Sequence, residues 1–217
     1  MSCDCDLITN APVVETLTAV KFTGTQWLRT DYYPNANTEF TMVCKFTSNA
    51  NTNSSSAVAG GVSPYFFYCA HDGDHRFSFY TGSYDIPYRF QIINDTKANI
   101  VDLKGFNTMS DFVVDRTTME YKKVGSNMTF KFGTHSVTNL PLKTHTMATP
   151  MDIGYSAYFS AIFNRWDMTV YSLVIKENGN PVRNYVPVTR NGVPGLRDTV
   201  TGTFISSQTA SALVAIS

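Results

Sequence analysis

Apolar and polar residues alternate with a period of two in several short stretches of the chain. In the clearest stretch, Phe40, Met42, Cys44 and Phe46 share one face, and the Thr, Val and Lys residues between them share the other. This alternation is typical of a β-strand that is buried on one face. We find no stretch of twelve residues with a helical period of 3.6. The pattern therefore predicts a chain built from strands.

Three further stretches show the same period and are separated by turn-forming residues. The predicted strands are Arg76–Thr81, with Phe77 and Phe79 inward, Ile86–Ile93, with Ile86, Tyr88, Phe90 and Ile92 in phase, and Met128–Phe132, with Met128, Phe130 and Phe132 in phase. The strongest predicted hairpin turn is Asn178-Gly179, because both residue types adopt the positive φ that a tight turn needs. Many short strands at this spacing favour an all-β sandwich or barrel.

Two segments depart from the strand pattern. Residues Ser48–Gly61 are polar and of low complexity, so we expect a long exposed loop between two strands. The last twelve residues are small and weakly apolar, and they fit either an edge strand or an arm that docks on a neighbour.

Composition and charge narrow the classes of partner. The chain has 217 residues, which suits one β-sandwich domain, and 13% of them are aromatic, which favours strands. Seventeen basic and seventeen acidic residues give no net charge, so no long-range field attracts polyanions. We therefore expect neither nucleic acid nor anionic lipid as a partner.

The sequence also predicts the cellular compartment in which the protein is made. No apolar run approaches the roughly 20 residues that cross a bilayer, and the N-terminal residues lack the pattern of an export signal, so we expect no membrane insertion and synthesis in a cytoplasm. The four cysteines, Cys3, Cys5, Cys44 and Cys69, are too few and too unevenly spaced for a disulfide scaffold. We expect reduced thiols, with no metal on Cys3 and Cys5.

Two blocks of sequence resemble a known family. The first is Phe22-Thr-Gly-Thr-Gln-Trp-Leu-Arg-Thr followed by Pro34-Asn-Ala-Asn-Thr. The second comprises Tyr171-Ser-Leu-Val-Ile-Lys, Asn178-Gly-Asn-Pro-Val-Arg-Asn-Tyr-Val-Pro-Val and Gly192-Val-Pro-Gly-Leu-Arg-Asp-Thr-Val-Thr-Gly-Thr-Phe. Together they resemble the opening and closing segments of concanavalin A-like (laminin G-like) domains that are abundant in gut bacteria and their phages. Arg197 stands where that group usually has Tyr.

The resemblance implies an all-β, two-sheet antiparallel jelly-roll sandwich of the concanavalin A-like type. It predicts an N-terminal arm over residues 1–16, the jelly-roll domain over 17–207 and a C-terminal arm over 208–217. Both blocks consist of residues with structural roles. Trp27 lies inside the first block, so we expect its side chain in the core. The resemblance fixes the fold only, because this fold serves many functions.

Catalytic patterns are missing from the sequence. Hydrolases of this fold usually present paired carboxylates on one strand as Glu-x-Asp-x-Glu. The four glutamates, Glu15, Glu39, Glu120 and Glu177, are far apart, and we find no phosphate-binding loop or nucleophile triad. We expect a protein that is not an enzyme and that has no resident cofactor.

One segment is rich in metal-binding side chains. In His71-Asp-Gly-Asp-His75, Asp72 and Asp74 could ligate a hard cation, and calcium is the metal that would fit. The alternative is a hairpin turn in which Asp-Gly serves the backbone geometry. We favour the turn, because calcium needs six to eight oxygens.

Sugar binding needs aromatic surfaces flanked by polar side chains. The richest such segment runs from residue 155 to 166, and we select Tyr155, Tyr158, Asn164, Arg165 and Trp166 as candidate ligand-binding residues. A core position or an oligomer contact is an equal alternative for Tyr155, Tyr158 and Trp166.

The leading functional hypothesis is a non-enzymatic phage virion structural protein, such as a capsid decoration, fibre or adhesin subunit. It would lie on the virion surface and assemble with itself, as a homo-oligomer, or with other virion proteins. The alternative is a carbohydrate-binding module or lectin of a bacterial surface or extracellular protein, with calcium assisting. A virion protein could also bind a cell-surface glycan, so the two hypotheses are compatible.

Overall fold

The structure is a computed structural model, and it describes residues 12–46, 65–72, 74–81, 90–96, 100–103, 116–154 and 167–217. These residues form seventeen strands and no helix. In chain order the strands are β1 Val14–Thr16, β2 Ala19–Lys21, β3 Leu28–Arg29, β4 Thr38–Phe46, β5 Tyr65–Ala70, β6 His75–Thr81, β7 Phe90–Thr96, β8 Ile100–Leu103, β9 Thr117–Val124, β10 Asn127–Phe132, β11 His135–Leu140, β12 Asp152–Ile153, β13 Met168–Glu177, β14 Asn180–Arg190, β15 Val193–Asp198, β16 Phe204–Ser206 and β17 Val214–Ile216.

The strands form two antiparallel sheets. The larger has eleven strands in the order β11-β10-β9-β4-β13-β14-β15-β16, with β1 beside β14 and β2 between β13 and β17. The smaller has six strands in the order β3-β12-β5-β6-β7-β8. The predicted all-β, two-sheet antiparallel sandwich is confirmed.

The first and last described strands both belong to the larger sheet. Strand β1 pairs with β14, and β17 pairs with β2, which follows β1 after two residues. The Thr18 amide also donates a hydrogen bond of 2.8 Å to the Ile216 carbonyl. The segment 214–216 therefore pairs within its own chain, while the predicted boundaries of the two arms stay predictions.

Aromatic side chains from both sheets form the core. Phe40 of β4 meets Phe67 of β5 edge to face, with ring centroids 5.1 Å apart. The ring centroids of Phe79 in β6 and Phe130 in β10 are 4.7 Å apart. Rings of this size supply most of the apolar area that such a sandwich buries. The two sheets are thus held face to face by interlocking aromatic rings.

The predicted inward faces agree with the core where the structure describes them. Phe40, Met42 and Cys44 are buried, as are Phe77 and Phe79, Ile92, and Met128, Phe130 and Phe132. The predicted strand Ile86–Ile93 is described only from Phe90 onward. The predicted loop Ser48–Gly61 and the cysteines Cys3 and Cys5 lie outside the described residues. Cys44 and Cys69 are free, buried thiols.

The predicted hairpin turn is present. Asn178 and Gly179 both have positive φ, 50° and 81°, and they join β13 to β14. Positive φ at both central residues is the geometry of a turn that matches the strand twist. In the part of the chain that is described, no helix is long and apolar enough to cross a membrane.

Candidate functional site

A row of polar side chains crosses the face of the smaller sheet that points away from the core. Arg29 of β3 lies opposite Asp152 of β12, and Asp152 lies opposite Tyr68 of β5. The adjacent residues Leu28 and Ile153 belong to the core, so alternation puts this row on the other face. Asp152 and Tyr68 are buried, so Arg29 forms the accessible end of the row.

The Arg29 guanidinium is held in a fixed orientation by Asp152. Its Nε donates a hydrogen bond of 2.8 Å to Oδ1, and one Nη donates a bond of 3.0 Å to Oδ2. The Arg29 side chain is 40% exposed, whereas that of Asp152 is 1% exposed. Burial raises the pKa of Asp152, and the neighbouring Arg29 works against that rise. A two-point contact of this kind positions Arg29 for recognition at the surface.

Trp27 lies beside this ion pair. The Arg29 Cζ atom is 4.9 Å from the centre of the Trp27 ring, and Trp27 itself is half-buried. Because Trp27 is half-buried and contacts the partly exposed Arg29 side chain, the expectation that Trp27 belongs to the core is wrong. We call Trp27, Arg29 and Asp152 the Trp27 patch. In it, the Arg29 guanidinium lies over the face of the Trp27 indole ring.

The residues selected for ligand binding from the sequence were different ones. Tyr155, Tyr158, Asn164, Arg165 and Trp166 all lie outside the described residues, so they stay predictions. Sequence reasoning missed Arg29 and Asp152, because they are 123 positions apart and only strand pairing brings them together. The sequence signal that could have suggested the patch is the spacing of Trp27 and Arg29, because side chains two residues apart in an extended backbone point the same way.

Asp72 and Asp74 lie in the turn between β5 and β6. The Asp72 Oδ1 atom accepts hydrogen bonds of 2.8 Å from the backbone amides of both Asp74 and His75. It also lies 2.9 Å from the Nδ1 of His75, and this contact, with the two amide bonds, holds the pKa of Asp72 below its usual range. Asp72 thus stabilises a hairpin turn, the alternative that the sequence favoured. A calcium ion at Asp72 and Asp74 stays a prediction.

Three histidines gather at this turn. The ring of His145, in the connection between β11 and β12, is 3.9 Å from that of His75 and 5.2 Å from that of His71, centre to centre. His145 is also within 3.2 Å of both carboxylate oxygens of Asp95, at the end of β7. No local sequence pattern predicts this cluster, because His145 is seventy residues from His75 in the chain. In the described ranges, no group of three His, Cys, Asp or Glu side chains is arranged as a complete metal site.

A buried lysine lies two residues before His145. Lys143 is 2% exposed, and its Nζ donates a hydrogen bond of 3.0 Å to the Tyr121 hydroxyl. Its Nζ also lies 4.1 Å from the centre of the Phe77 ring. Burial lowers the pKa of Lys143 to about 7. The Tyr121 hydroxyl in turn donates to the Asn94 side chain, so the amine belongs to a hydrogen-bonded chain inside the core.

A comparison with solved structures finds similarity to mouse laminin α1 chain, domains LG4-5. The TM-score is 0.47 and the sequence identity 14%, over 83% of this chain and 48% of that chain. The chain therefore spans about half the length of that laminin structure. No protein-family model matches the chain, and a search of curated proteins finds no match.

Proposed function

We propose that this chain is a non-enzymatic domain that binds carbohydrate at the Trp27 patch. The observation that carries the proposal is the half-buried indole of Trp27 beside an Arg29 guanidinium that Asp152 holds in place. Aromatic rings stack on the apolar faces of pyranose sugars, and a positioned guanidinium donates hydrogen bonds to sugar oxygens. The patch combines both groups at one edge of a sheet.

The burial of Asp152 supports a role in positioning Arg29. Removal of water around the carboxylate strengthens its attraction for the guanidinium, so Arg29 loses little freedom when a ligand arrives. The exposed part of Arg29 then meets the ligand in an orientation that exists before binding. Such preorganisation is what a binding site needs to recognise a weakly interacting, well-hydrated sugar.

A glycan array with and without a calcium chelator tests the proposal, followed by isothermal titration calorimetry on any glycan that binds. We expect Trp27→Ala to weaken binding by about 10- to 150-fold, because an aromatic side chain contributes about 1.5–3 kcal/mol when it is covered. Tyr171→Ala is the matched control, since Tyr171 carries a similar contact, with Arg116 Cζ 4.5 Å from its ring centre, on the larger sheet. Failure of every glycan to bind, with or without calcium, would refute the proposal.

We also propose that the domain acts on a virion surface, as a capsid decoration, fibre or adhesin subunit, with a bacterial surface protein as the alternative setting. The sequence motifs support this setting, and three exposed valines around Arg190 support assembly with copies of itself or with other virion proteins. Val14 lies opposite Arg190, which lies opposite Val193, and both valines are exposed, as is Val13. Exposed apolar side chains that gather in one region often mark contacts between proteins.

Sedimentation velocity tests the assembly. We expect concentration-dependent oligomers that Val193→Asn weakens and Val200→Asn, at an equally exposed turn position, leaves intact. A wild-type monomer at all concentrations would contradict self-assembly. Mass spectrometry of purified phage particles tests the virion setting directly. Absence of the protein from the particles would refute that setting.

A further inference from the structure

Two Asn-Gly pairs form hairpin turns in the larger sheet. Asn178-Gly179 joins β13 to β14, and Asn191-Gly192 joins β14 to β15. The φ angles are 50° and 81° in the first pair and 51° and 78° in the second. All four residues are exposed to solvent. The two turns therefore have nearly the same local backbone and similar access to water.

An Asn-Gly pair contains both partners of a deamidation reaction. The backbone nitrogen of the glycine attacks the side-chain carbon Cγ of the asparagine and forms a new C–N bond. The side-chain nitrogen leaves as ammonia and takes the proton of the glycine amide, so a cyclic succinimide remains. Water then opens the ring at either carbonyl and yields Asp or isoaspartate. Glycine favours the attack because it has no Cβ to crowd its nitrogen.

The side chain of Asn191 is held by the start of β1. The Val13 amide donates a hydrogen bond of 3.0 Å to the Asn191 Oδ1 atom, and the Asn191 amide donates one of 2.9 Å to the Val13 carbonyl oxygen. The first of these bonds must break before Cγ can turn towards the Gly192 nitrogen. The pairing with residue 13 therefore opposes the reaction at Asn191.

The side chain of Asn178 lacks such a restraint. Its backbone amide donates a hydrogen bond of 3.3 Å to the Asn37 carbonyl oxygen, and its own carbonyl oxygen lies 3.5 Å from the Asn180 Nδ2 atom. Both contacts involve the backbone of Asn178. Among the residues that the structure describes, no hydrogen bond reaches the Asn178 carboxamide. Its Cγ can therefore turn towards the Gly179 nitrogen without the loss of a bond.

We propose that Asn178 is a site of spontaneous deamidation and that the Val13 amide protects Asn191 from the same reaction. The product at position 178 carries a new negative charge next to Glu177. Isoaspartate also adds a methylene group to the backbone, so it does not fit the two-residue turn in which Glu177 lies opposite Asn180. The modification thus changes both the charge and the covalent length of the hairpin.

Incubation of the folded protein at pH 7.4 and 37 °C, followed by peptide mapping with mass spectrometry, tests the proposal. We expect Asn178 to deamidate about fivefold faster than Asn191, the factor that corresponds to one net hydrogen bond. In concentrated urea the two sites should react at similar rates, because unfolding removes the bond from Val13. Equal rates in the folded protein, or a faster reaction at Asn191, would overturn the proposal. A difference that persists in urea would overturn its structural explanation.

Variants of Val13 test the protection of Asn191 directly. Val13→Pro removes the amide that donates to Asn191, and the residue is 64% exposed, so no core packing is lost. We expect this variant to raise the rate at Asn191 about fivefold and to leave the rate at Asn178 unchanged. Val13→Ala keeps the amide and is the matched control, which should react like the wild type. An unchanged rate at Asn191 in Val13→Pro would contradict the protective role of Val13.

Discussion

Replacement of the buried Lys143 by methionine should stabilise the protein at neutral pH and leave its stability less dependent on pH. The lysine amine is enclosed between the sheets, with one hydrogen bond to the Tyr121 hydroxyl and the faces of Phe77 and Tyr121 near it. Methionine has a similar length and no charge, so it can fill the same space. The Tyr121 hydroxyl keeps its bond to Asn94 in the variant.

The magnitude follows from the pKa of the lysine. Burial lowers it from 10.5 to about 7, although the nearby Asp95 favours the charged form. Between these two values the unfolded chain binds a proton that the folded chain does not, so stability rises with pH across this window. The full difference corresponds to about 5 kcal/mol at about 1.4 kcal/mol per pH unit. Below pH 7 both states carry the proton, and the cost is constant.

The hydrogen bond and ring contacts that methionine loses offset part of this cost. A net hydrogen bond is worth about 1 kcal/mol, and contacts of an amine with aromatic faces are worth about as much. We therefore expect Lys143→Met to raise the free energy of unfolding by about 3 kcal/mol at pH 7. The advantage over the wild type should shrink by about 2 kcal/mol between pH 7 and pH 9.

Urea denaturation of both proteins at pH 7, 8 and 9 measures the effect. The difference between variant and wild type is the quantity to follow, because the other titrating groups are common to both. Lys131→Met, at an exposed position of β10, is the control and should show no such change with pH. A constant difference between Lys143→Met and wild type from pH 7 to pH 9 would refute the reasoning, since it would mean that the buried amine does not titrate in this range.

Two further variants test the packing of the larger sheet. Gly195→Ala would place its Cβ 2.3 Å from the Ile205 carbonyl oxygen and 2.6 Å from the Phe204 ring, so we expect a loss of at least about 2 kcal/mol in thermal or urea unfolding. If the Gly195→Ala variant were as stable as the wild type, β16 must be able to move away from residue 195, and the packing argument would be wrong. Asp198→Ala would remove the buried acceptor of the Asn184 and Val200 amides and cost about 2–4 kcal/mol. Burial raises the pKa of Asp198, yet these hydrogen bonds hold it below its usual value, so the wild-type advantage should shrink as pH falls below about 4 towards the lowered pKa. An advantage that does not change as the pH is lowered through this range would contradict this assignment.

Local sequence patterns predicted the strands, because period-two alternation and turn chemistry act over a few residues. Phe40, Met42 and Cys44 and the Asn178-Gly179 turn are examples. The irregularities escaped prediction. A register shift between Tyr65 and Phe67 lets Phe66 pack against Phe79, with ring centres 4.7 Å apart, although strict alternation would turn Phe66 away from the core.

The candidate sites depend on contacts that sequence spacing does not encode. Trp27 directly precedes β3, which contains Arg29, but their partner Asp152 reaches them through the pairing of β12 with β3. His145 reaches the turn at His75 because the β11–β12 connection passes that end of the smaller sheet. Pairings over such distances follow from the topology of both sheets, and one sequence contains no direct signal for them.

The pairing of β17 with β2 has a consequence for the order of the chain. Because Ile216 of β17 lies opposite Ala19 of β2, a peptide linker could join residue 217 to residue 12, and the chain could be opened instead at Asn178-Gly179. Such a circular permutant would keep the pairings of both sheets except that its new ends would lie at an exposed hairpin. The arrangement of the strands in both sheets would then not depend on which strand comes first in the chain.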